Sequence, residues 1–311
     1  MSDIFKILLP VFTVIALGYF ARKKQFITDM HVDGVNTLVY TVLFPIMIFN
    51  AFFTARLQKQ MLHVVIVVFI LHVAALLIGS LFQNFIGKEY GGIAKYHMAT
   101  AEGGNILFPL YATIVGTEHM SNAVMIDISM IFIAFIVFPV MMHRTLGGAK
   151  GFRSILWSML KSPMIISFLI GSCLNLLGVY RWMEQAGISD IYDSIAGMLI
   201  VPMVTLILFT IGYRFQIPKK TSTPLLKTMV LRMTVMALGA AFIILAAPSL
   251  ASNRPLRIAL MLQCACPPSL MMPTLIAPVI ENQEQRAFIS AFLSLYIAVT
   301  LVAYTLIVIL A

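Results

Sequence analysis

The sequence predicts an all-α polytopic membrane protein with ten transmembrane helices. The chain has 311 residues, of which 60% are hydrophobic and 11% charged, and its mean hydropathy is +0.97. Soluble domains contain about 45–50% apolar and about 25% charged residues, so these values exclude a water-soluble globular enzyme. Because one crossing needs about 20 apolar residues, ten crossings leave room only for short loops.

Ten apolar segments supply these helices, and we number them as predicted spans 1 to 10 in chain order. Seven of them contain no Asp, Glu, Lys or Arg, namely 34–55, 60–87, 162–180, 194–213, 233–253, 258–280 and 287–311. Three more are each interrupted by one ionisable residue, namely 4–21 by Lys6, 96–117 by Glu102 and 120–142 by Asp127. We expect helices because lipid offers no partner for the backbone groups of an open strand.

Basic residues predict the orientation of the chain in the membrane. Loops that follow odd-numbered spans contain 14 Lys and Arg residues, whereas loops that follow even-numbered spans contain 5. Cytoplasmic loops carry the excess of Lys and Arg, so the loops after odd-numbered spans are expected in the cytoplasm. The protein is expected in the cell (inner) membrane, with both termini on its outer side. Basic clusters between apolar runs are typical of anchors to the lipid bilayer, and nucleic-acid binding is not expected. The first span lacks a preceding basic region and is expected to be a retained helix.

The ten spans divide into two five-helix repeats, residues 1–147 and 148–311. An odd number of helices in each half places the halves in opposite membrane orientations. The spacing of proline and glycine is similar in the two halves, with eight positions between Pro10 and Gly18 and between Pro163 and Gly171. The sequence therefore predicts an inverted repeat, with chance pairing among the 14 prolines as the alternative.

Spans 4 and 9 are both interrupted by helix-breaking residues. Gly103, Gly104 and Pro109 predict an unwound stretch around 103–108 in span 4, and the adjacent Pro267 and Pro268 predict a break in span 9. Transporters with inverted repeats bind substrate and ions at such paired breaks, although simple proline kinks are the alternative. The predicted substrate- and ion-binding residues are Glu102, Gly103, Gly104, Asn105, Pro109, Asp127, Cys266, Pro267, Pro268 and Ser269.

Three ionisable residues in or beside apolar segments need an explanation. A carboxylate at mid-bilayer costs at least about 2.5 kcal/mol, so Glu102 and Asp127 face a partner or a wet cavity, or they are protonated. We expect Glu102 to take the coupling ion, H⁺ or Na⁺, and the alternative is a structural acid bonded to backbone amides of the break. For Asp127 the two roles are equally open. Arg232, near the start of span 8, is expected to extend to the cytoplasmic surface.

Motifs typical of enzymes are absent from the sequence. It contains neither a G-x-x-x-x-G-K-[ST] phosphate loop nor an H-E-x-x-H zinc motif. An enzyme, a structural metal site and an organic cofactor are therefore not expected.

Four segments carry a combination of proline, glycine and polar residues that is typical of a known family. They are Leu9-Pro10 through Gly18-Tyr19 with the basic cluster 22–24, Asn36-Thr37-Leu38-Val39 through Pro45, Ser162-Pro163 to Gly171, and Pro202 to Gly212. Together they resemble the auxin efflux carrier family of secondary transporters, whose bacterial members include malonate and malate carriers. The resemblance covers nearly the whole chain. It implies the fold of bile-acid symporters and Na⁺/H⁺ antiporters, with spans 4 and 9 crossed in a moving transport domain of spans 3–5 and 8–10. Spans 1, 2, 6 and 7 would form the scaffold.

The fourth helix of that family commonly carries Asn-x-Gly-Phe-x-Gly-x-Pro. When its proline is aligned on Pro109, Glu102 takes the position of the asparagine. An acid thus replaces a neutral amide, which favours a proton, Na⁺ or a cationic group at Glu102.

The sequence and the resemblance together predict a secondary active transporter of small organic anions, carboxylates, coupled to H⁺ or Na⁺ and working by an elevator movement. One alternative is a cation/proton antiporter that uses Glu102 and Asp127. A membrane receptor or scaffold is the alternative outside transport. A homodimer through the scaffold helices is left open.

Single cysteines introduced at Lys23, Lys59 and Lys220, in a chain whose native cysteines are replaced, test the predicted orientation. We expect an impermeant thiol reagent applied outside to label position 59 and to spare positions 23 and 220, because loops after odd-numbered spans face the cytoplasm. The reverse labelling pattern would overturn the topology.

Overall fold

Every regular element that the computed structural model describes is a helix. The structure describes residues 2–55, 59–138, 141, 161, 163–215, 222–247 and 252–310, and no strand occurs within these ranges. This agrees with the all-α prediction.

The first half of the described chain contains eight α-helices. They are α1 Ser2–Lys23, α2 Asp29–Leu38, α3 Phe44–Phe53, α4 Lys59–Leu81, α5 Gln83–Ile86, α6 Gly91–Met98, α7 Phe108–Val115 and α8 Met120–Phe132. Three π-helical segments, Val39–Leu43, Gly103–Leu107 and Ile133–Val137, and a 3₁₀ turn, Thr117–His119, lie among them.

The second half of the described chain contains seven more α-helices. They are α9 Pro163–Leu176, α10 Val179–Gln185, α11 Ser189–Arg214, α12 Thr223–Ala246, α13 Arg254–Ala265, α14 Met272–Leu275 and α15 Gln283–Leu310. A 3₁₀ turn, Ala277–Val279, follows α14.

Six helices in the described ranges are long and apolar enough to cross a membrane. They correspond to predicted spans 1, 2, 3, 7, 8 and 10, and are Ile4–Lys23, Asp29–Phe53, His63–Leu81, Ser189–Arg214, Thr223–Ala246 and Gln283–Leu310. A seventh candidate is the pair α9 and α10, which is bent by 55°. The structure is thus that of a polytopic helical protein, and the count of ten spans and the inverted repeat stay predictions.

The interruption of span 4 begins earlier than predicted. We expected an unwound stretch around 103–108, but the non-helical residues are 99–102, and 103–107 form a π-helical segment. The physical reason lies in Pro109, which is the second residue of α7. A proline in the first turn of a helix needs no N–H donor and has a suitable φ, so it starts α7 rather than unwinding it.

The chain forms two compact units. Unit 1 comprises Met1–Lys59, Gly104–Val124 and Phe152–Arg214, and unit 2 comprises Gln60–Gly103, Met125–Gly151 and Phe215–Ala311. The predicted boundary between residues 147 and 148 lies outside the described residues, as does the end of predicted span 5. The division into two sequence repeats therefore stays a prediction.

Unit 1 depends on close packing of α1 against α11. A Cβ atom at Gly18 would overlap the carbonyl oxygen of Phe209, and one at Gly212 would overlap the carbonyl oxygen of Ile15. Each glycine therefore leaves room for the backbone of the other helix, which is the usual way in which membrane helices approach closely.

A second contact within unit 1 caps the C-terminal end of α3. The Asn175 side-chain nitrogen of α9 lies 2.9, 2.8 and 2.7 Å from the carbonyl oxygens of Phe52, Phe53 and Ala55. The last carbonyls of a helix have no partner within that helix, and lipid offers them no donor. The Asn175 amide supplies the donor for these three carbonyls.

Two alanine substitutions in α11 are expected to have opposite effects on stability. Gly212→Ala should destabilise the protein by about 1–3 kcal/mol, because the new methyl group would push α1 and α11 apart. Gly197→Ala is the control, since a Cβ at Gly197 has nothing within 4 Å, and better helix propensity should stabilise it by up to about 1 kcal/mol. Thermal unfolding in detergent measures both, and equal midpoints would contradict the close packing.

Candidate functional site at two helix breaks

Two short non-helical segments of unit 2 interrupt helices. The first break is residues 99–102, between α6 and the π-helical segment, and the second break is residues 266–271, between α13 and α14. At Cys266 the backbone is extended, with φ −65° and ψ 149°. The residue before a proline is disfavoured in the helical region, so Pro267 ends α13 as the sequence predicted.

The two breaks are hydrogen-bonded to each other through one backbone amide of each. The Glu102 amide donates a hydrogen bond to the Pro267 carbonyl at 2.8 Å. The Ser269 amide donates to the Thr100 hydroxyl at 3.2 Å. The amides of Glu102 and Ser269 have no partner in a helix, and each of them finds its acceptor in the other break.

The Glu102 side chain binds the second break. Its Oε2 accepts a hydrogen bond from the Leu270 amide at 2.6 Å, and the residue is 7% exposed. The next amide, that of Met271, donates to the Ser269 hydroxyl at 3.2 Å. This geometry matches the structural role that the sequence left open for Glu102, and it places the carboxylate at the point where both breaks meet.

Asp127 of α8 approaches the same place from the other side of Gly103. A Cβ at Gly103 would overlap the Asp127 carboxyl group, so glycine is needed here for close approach. Asp127 interacts electrostatically with Glu102 and lies beside Gln263 of α13. Among the described residues, Asp127 Oδ1 and both polar atoms of the Gln263 side chain are buried without a hydrogen-bond partner.

Arg232 of α12 does not extend to the surface, so that expectation was wrong. Its side chain is 0% exposed. The guanidinium donates to the carbonyl of His97, and its Nη2 lies 2.6 Å from the Thr100 carbonyl and 3.0 Å from the Cys266 carbonyl. It also lies over the Tyr296 ring, 5.1 Å from the centroid. The charge is too far along α12 to reach water, because that helix begins nine residues earlier, at Thr223.

The structure brings together part of the predicted set of binding residues. Glu102, Gly103, Asp127 and the second-break residues Cys266, Pro267, Pro268 and Ser269 all belong to unit 2. Gly104, Asn105 and Pro109 belong to unit 1. There Gly104 packs against the Phe44 ring, and Pro109 is buried at the start of α7.

No metal centre is evident in the part of the chain that the structure describes, where no three His, Cys, Asp or Glu side chains cluster closely enough to hold an ion. The polar groups at the breaks are instead carboxylates, an amide, a hydroxyl and backbone groups. The carboxylate and carbonyl oxygens among them are acceptors, which can hold a proton or a monovalent cation.

Sequence reasoning missed Thr100 and Gln263, and it misplaced Arg232. Neutral polar residues next to a break carry no distinctive pattern, so the first two could not have been found. Arg232 had a signal, because a serine before a proline is a helix start. Ser222 and Pro224 mark the beginning of α12 well before Arg232.

Comparison with known proteins decides the family. Residues 3–308 match the membrane transport protein family, that of the auxin efflux carriers. The chain belongs to the auxin efflux carrier family. A comparison with curated proteins finds no match. As a member of this family the protein is a membrane transporter, and its assignment to the malonate- and malate-carrier branch stays a prediction.

In this auxin efflux carrier family member, replacing both Pro267 and Pro268 with Ala should abolish transport while leaving the protein inserted. A continuous helix would satisfy its own backbone and withdraw the carbonyl that now accepts from Glu102. Proteoliposome flux and a folding assay measure the two effects. Pro255→Ala in the first turn of α13 is the matched control, and full flux in the double variant would mean that the prolines are only kinks.

Proposed function

We propose that this protein is a secondary active transporter of small organic anions, carboxylates, coupled to H⁺ or Na⁺. One observation carries the proposal: the Glu102 carboxylate lies at the contact between two helix breaks, within electrostatic reach of Asp127, in a membrane transport family member. Two buried carboxylates this close repel each other unless one binds a proton or a cation. The site is therefore suited to a coupling ion.

Binding of an ion to Glu102 would change the second break directly. The carboxylate accepts the hydrogen bond from the Leu270 amide. A proton or Na⁺ on Glu102 weakens this bond, because an ionised acceptor forms the stronger one. The Leu270 amide then becomes available to an oxygen of the substrate carboxylate. Ion and anion would bind together in this mechanism, which makes the protein a symporter.

The substrate class rests on the family resemblance and on the Leu270 amide, which would lose its ionised acceptor when Glu102 binds an ion. An ionised carboxylate is a strong acceptor for a backbone amide released in this way. The resemblance to malonate and malate carriers supports mono- or dicarboxylates of small size.

Alternating access of the elevator type is proposed for the movement. Both breaks, both acids and Arg232 belong to one compact unit, so they can move as one body. The predicted scaffold spans 1, 2, 6 and 7 lie in unit 1, which supports that role for them. Residues Gly104–Val124 also belong to unit 1, a departure from the predicted transport domain.

A cation/proton antiporter is the second candidate function. It is favoured by Asp127 Oδ1, which is buried without a hydrogen-bond partner among the described residues, and by the proximity of Asp127 to Glu102. Such a pair could exchange protons for Na⁺ without an organic substrate.

Uptake into proteoliposomes separates the two candidates. We expect at least one small carboxylate to accumulate when a pH or Na⁺ gradient is imposed, and not when both are absent. No uptake across a panel of carboxylates, together with collapse of a pH gradient on addition of Na⁺ alone, would favour the antiporter.

Glu102→Gln should retain substrate binding but lose its pH or Na⁺ dependence, with uphill transport lost and exchange retained. Glutamine keeps an acceptor for the Leu270 amide and removes the charge. Substrate-induced proton movement, measured beside uptake, checks this result. Asp127→Asn is the parallel variant, and unchanged ion stoichiometry in Glu102→Gln would leave Glu102 as a structural cap.

A further inference from the structure

The Arg232 guanidinium is a buried positive charge that no carboxylate neutralises within ion-pair distance in the described part of the chain. An unpaired charge in an apolar interior is expensive. Something other than an acidic side chain must therefore stabilise it.

The stabilising groups are the C-terminal ends of two broken helices. Arg232 donates to the His97 carbonyl in the last turn of α6, to the Thr100 carbonyl in the first break, and to the carbonyl of Cys266, the residue that follows α13. These carbonyls lie at or just beyond a helix end, where no following turn supplies an N–H donor. The end of a helix also carries about half a negative charge, so two such ends together match one cation.

The remaining neighbours of Arg232 fit a cation as well. The Tyr296 ring presents its electron-rich face at 5.1 Å, a distance at which cation–π attraction operates. The pocket thus offers backbone oxygens and a ring face, and these groups would bind a free monovalent cation if the side chain were missing.

We propose that the position between His97, Thr100 and Cys266 is a cation site that the protein fills with its own Arg232 side chain. The fixed charge holds the ends of α6 and α13 together and makes a soluble cation unnecessary at this position. Any Na⁺ that the transporter uses would then bind elsewhere, at the acids. Arg232 is a positioning residue in this account, and only the last step rests on the proposed function.

Thermal unfolding in detergent tests the fixed cation without any transport. In Arg232→Ala the three carbonyls lose their partner, and the midpoint should fall by roughly 5 °C or more. Low millimolar guanidinium chloride, or NaCl at matched ionic strength, should raise the midpoint of this variant by roughly 2–4 °C over choline chloride. Wild type and the exposed-site control Arg286→Gln should show no such rise.

Two further variants, which differ from each other in charge, keep the test decisive if the alanine variant does not fold. Arg232→Lys retains the positive charge, whereas Arg232→Gln retains donors without the charge. We expect the Lys variant to melt above the Gln variant. Equal midpoints for Lys and Gln, or an alanine variant that guanidinium and Na⁺ do not stabilise, would overturn the proposal.

Flux measurements distinguish this proposal from the proposed function. Wild-type uptake of carboxylates tests the function alone, and the melting experiments test the fixed cation alone. If both hold, Arg232→Lys should retain at least about a tenth of the wild-type rate, whereas Arg232→Gln should lose more than tenfold, which corresponds to a rise of more than about 1.4 kcal/mol in the activation free energy.

Discussion

Peptide groups at the two helix breaks need hydrogen-bond partners in an apolar surrounding, and the arrangement of unit 2 follows from that need. Each unsatisfied buried group costs about 1–3 kcal/mol. The breaks satisfy each other through Glu102 and Pro267, and Met130 of α8 accepts from the Ala101 amide through sulfur at 3.2 Å. Thr300 of α15 and Arg232 of α12 supply the remaining bonds to carbonyls. Three helices, α8, α12 and α15, are thereby hydrogen-bonded to the chain at or beside the two breaks.

Charge is distributed in this region by the direction of the peptide groups. Carbonyls without a helical partner lie at the ends of α6 and α13, and there the Arg232 cation binds. An amide without a helical partner follows in the second break, and it donates to the Glu102 carboxylate. The cation therefore meets carbonyl oxygens, and the anion meets an N–H group. The Arg232 cation and the Glu102 anion thus pair backbone groups of the breaks, and the repulsion between Glu102 and Asp127 is the part of the site that the proposed coupling ion would relieve.

Local chemistry determined which features could be predicted from the sequence. Two adjacent prolines, such as Pro267 and Pro268, are difficult to accommodate within a helix, so the second break was predicted at the correct residues. Pro109 was ambiguous, because a proline both interrupts one helix and starts the next, and only packing decides where the first break begins. Hydropathy found the long helices but not the start of α12. Arg232 was therefore assigned to a membrane surface when it lies inside the unit.

The role of Gly103 shows why the acids themselves could be predicted but their relationship could not. Paired glycines suggested a weak helix, whereas the structure needs Gly103 to admit the Asp127 carboxyl beside the chain. This approach brings Asp127 within electrostatic reach of Glu102. Of the two acids, Glu102 has a carboxylate that accepts a backbone bond from the second break among the described residues. A change of charge on Asp127 therefore alters the electrostatic field at Glu102. That field in turn strengthens or weakens the hydrogen bond from the Leu270 amide to Glu102. In the mechanism proposed above, one hydrogen bond, from the Leu270 amide to Glu102, would link ion binding to the geometry of the backbone.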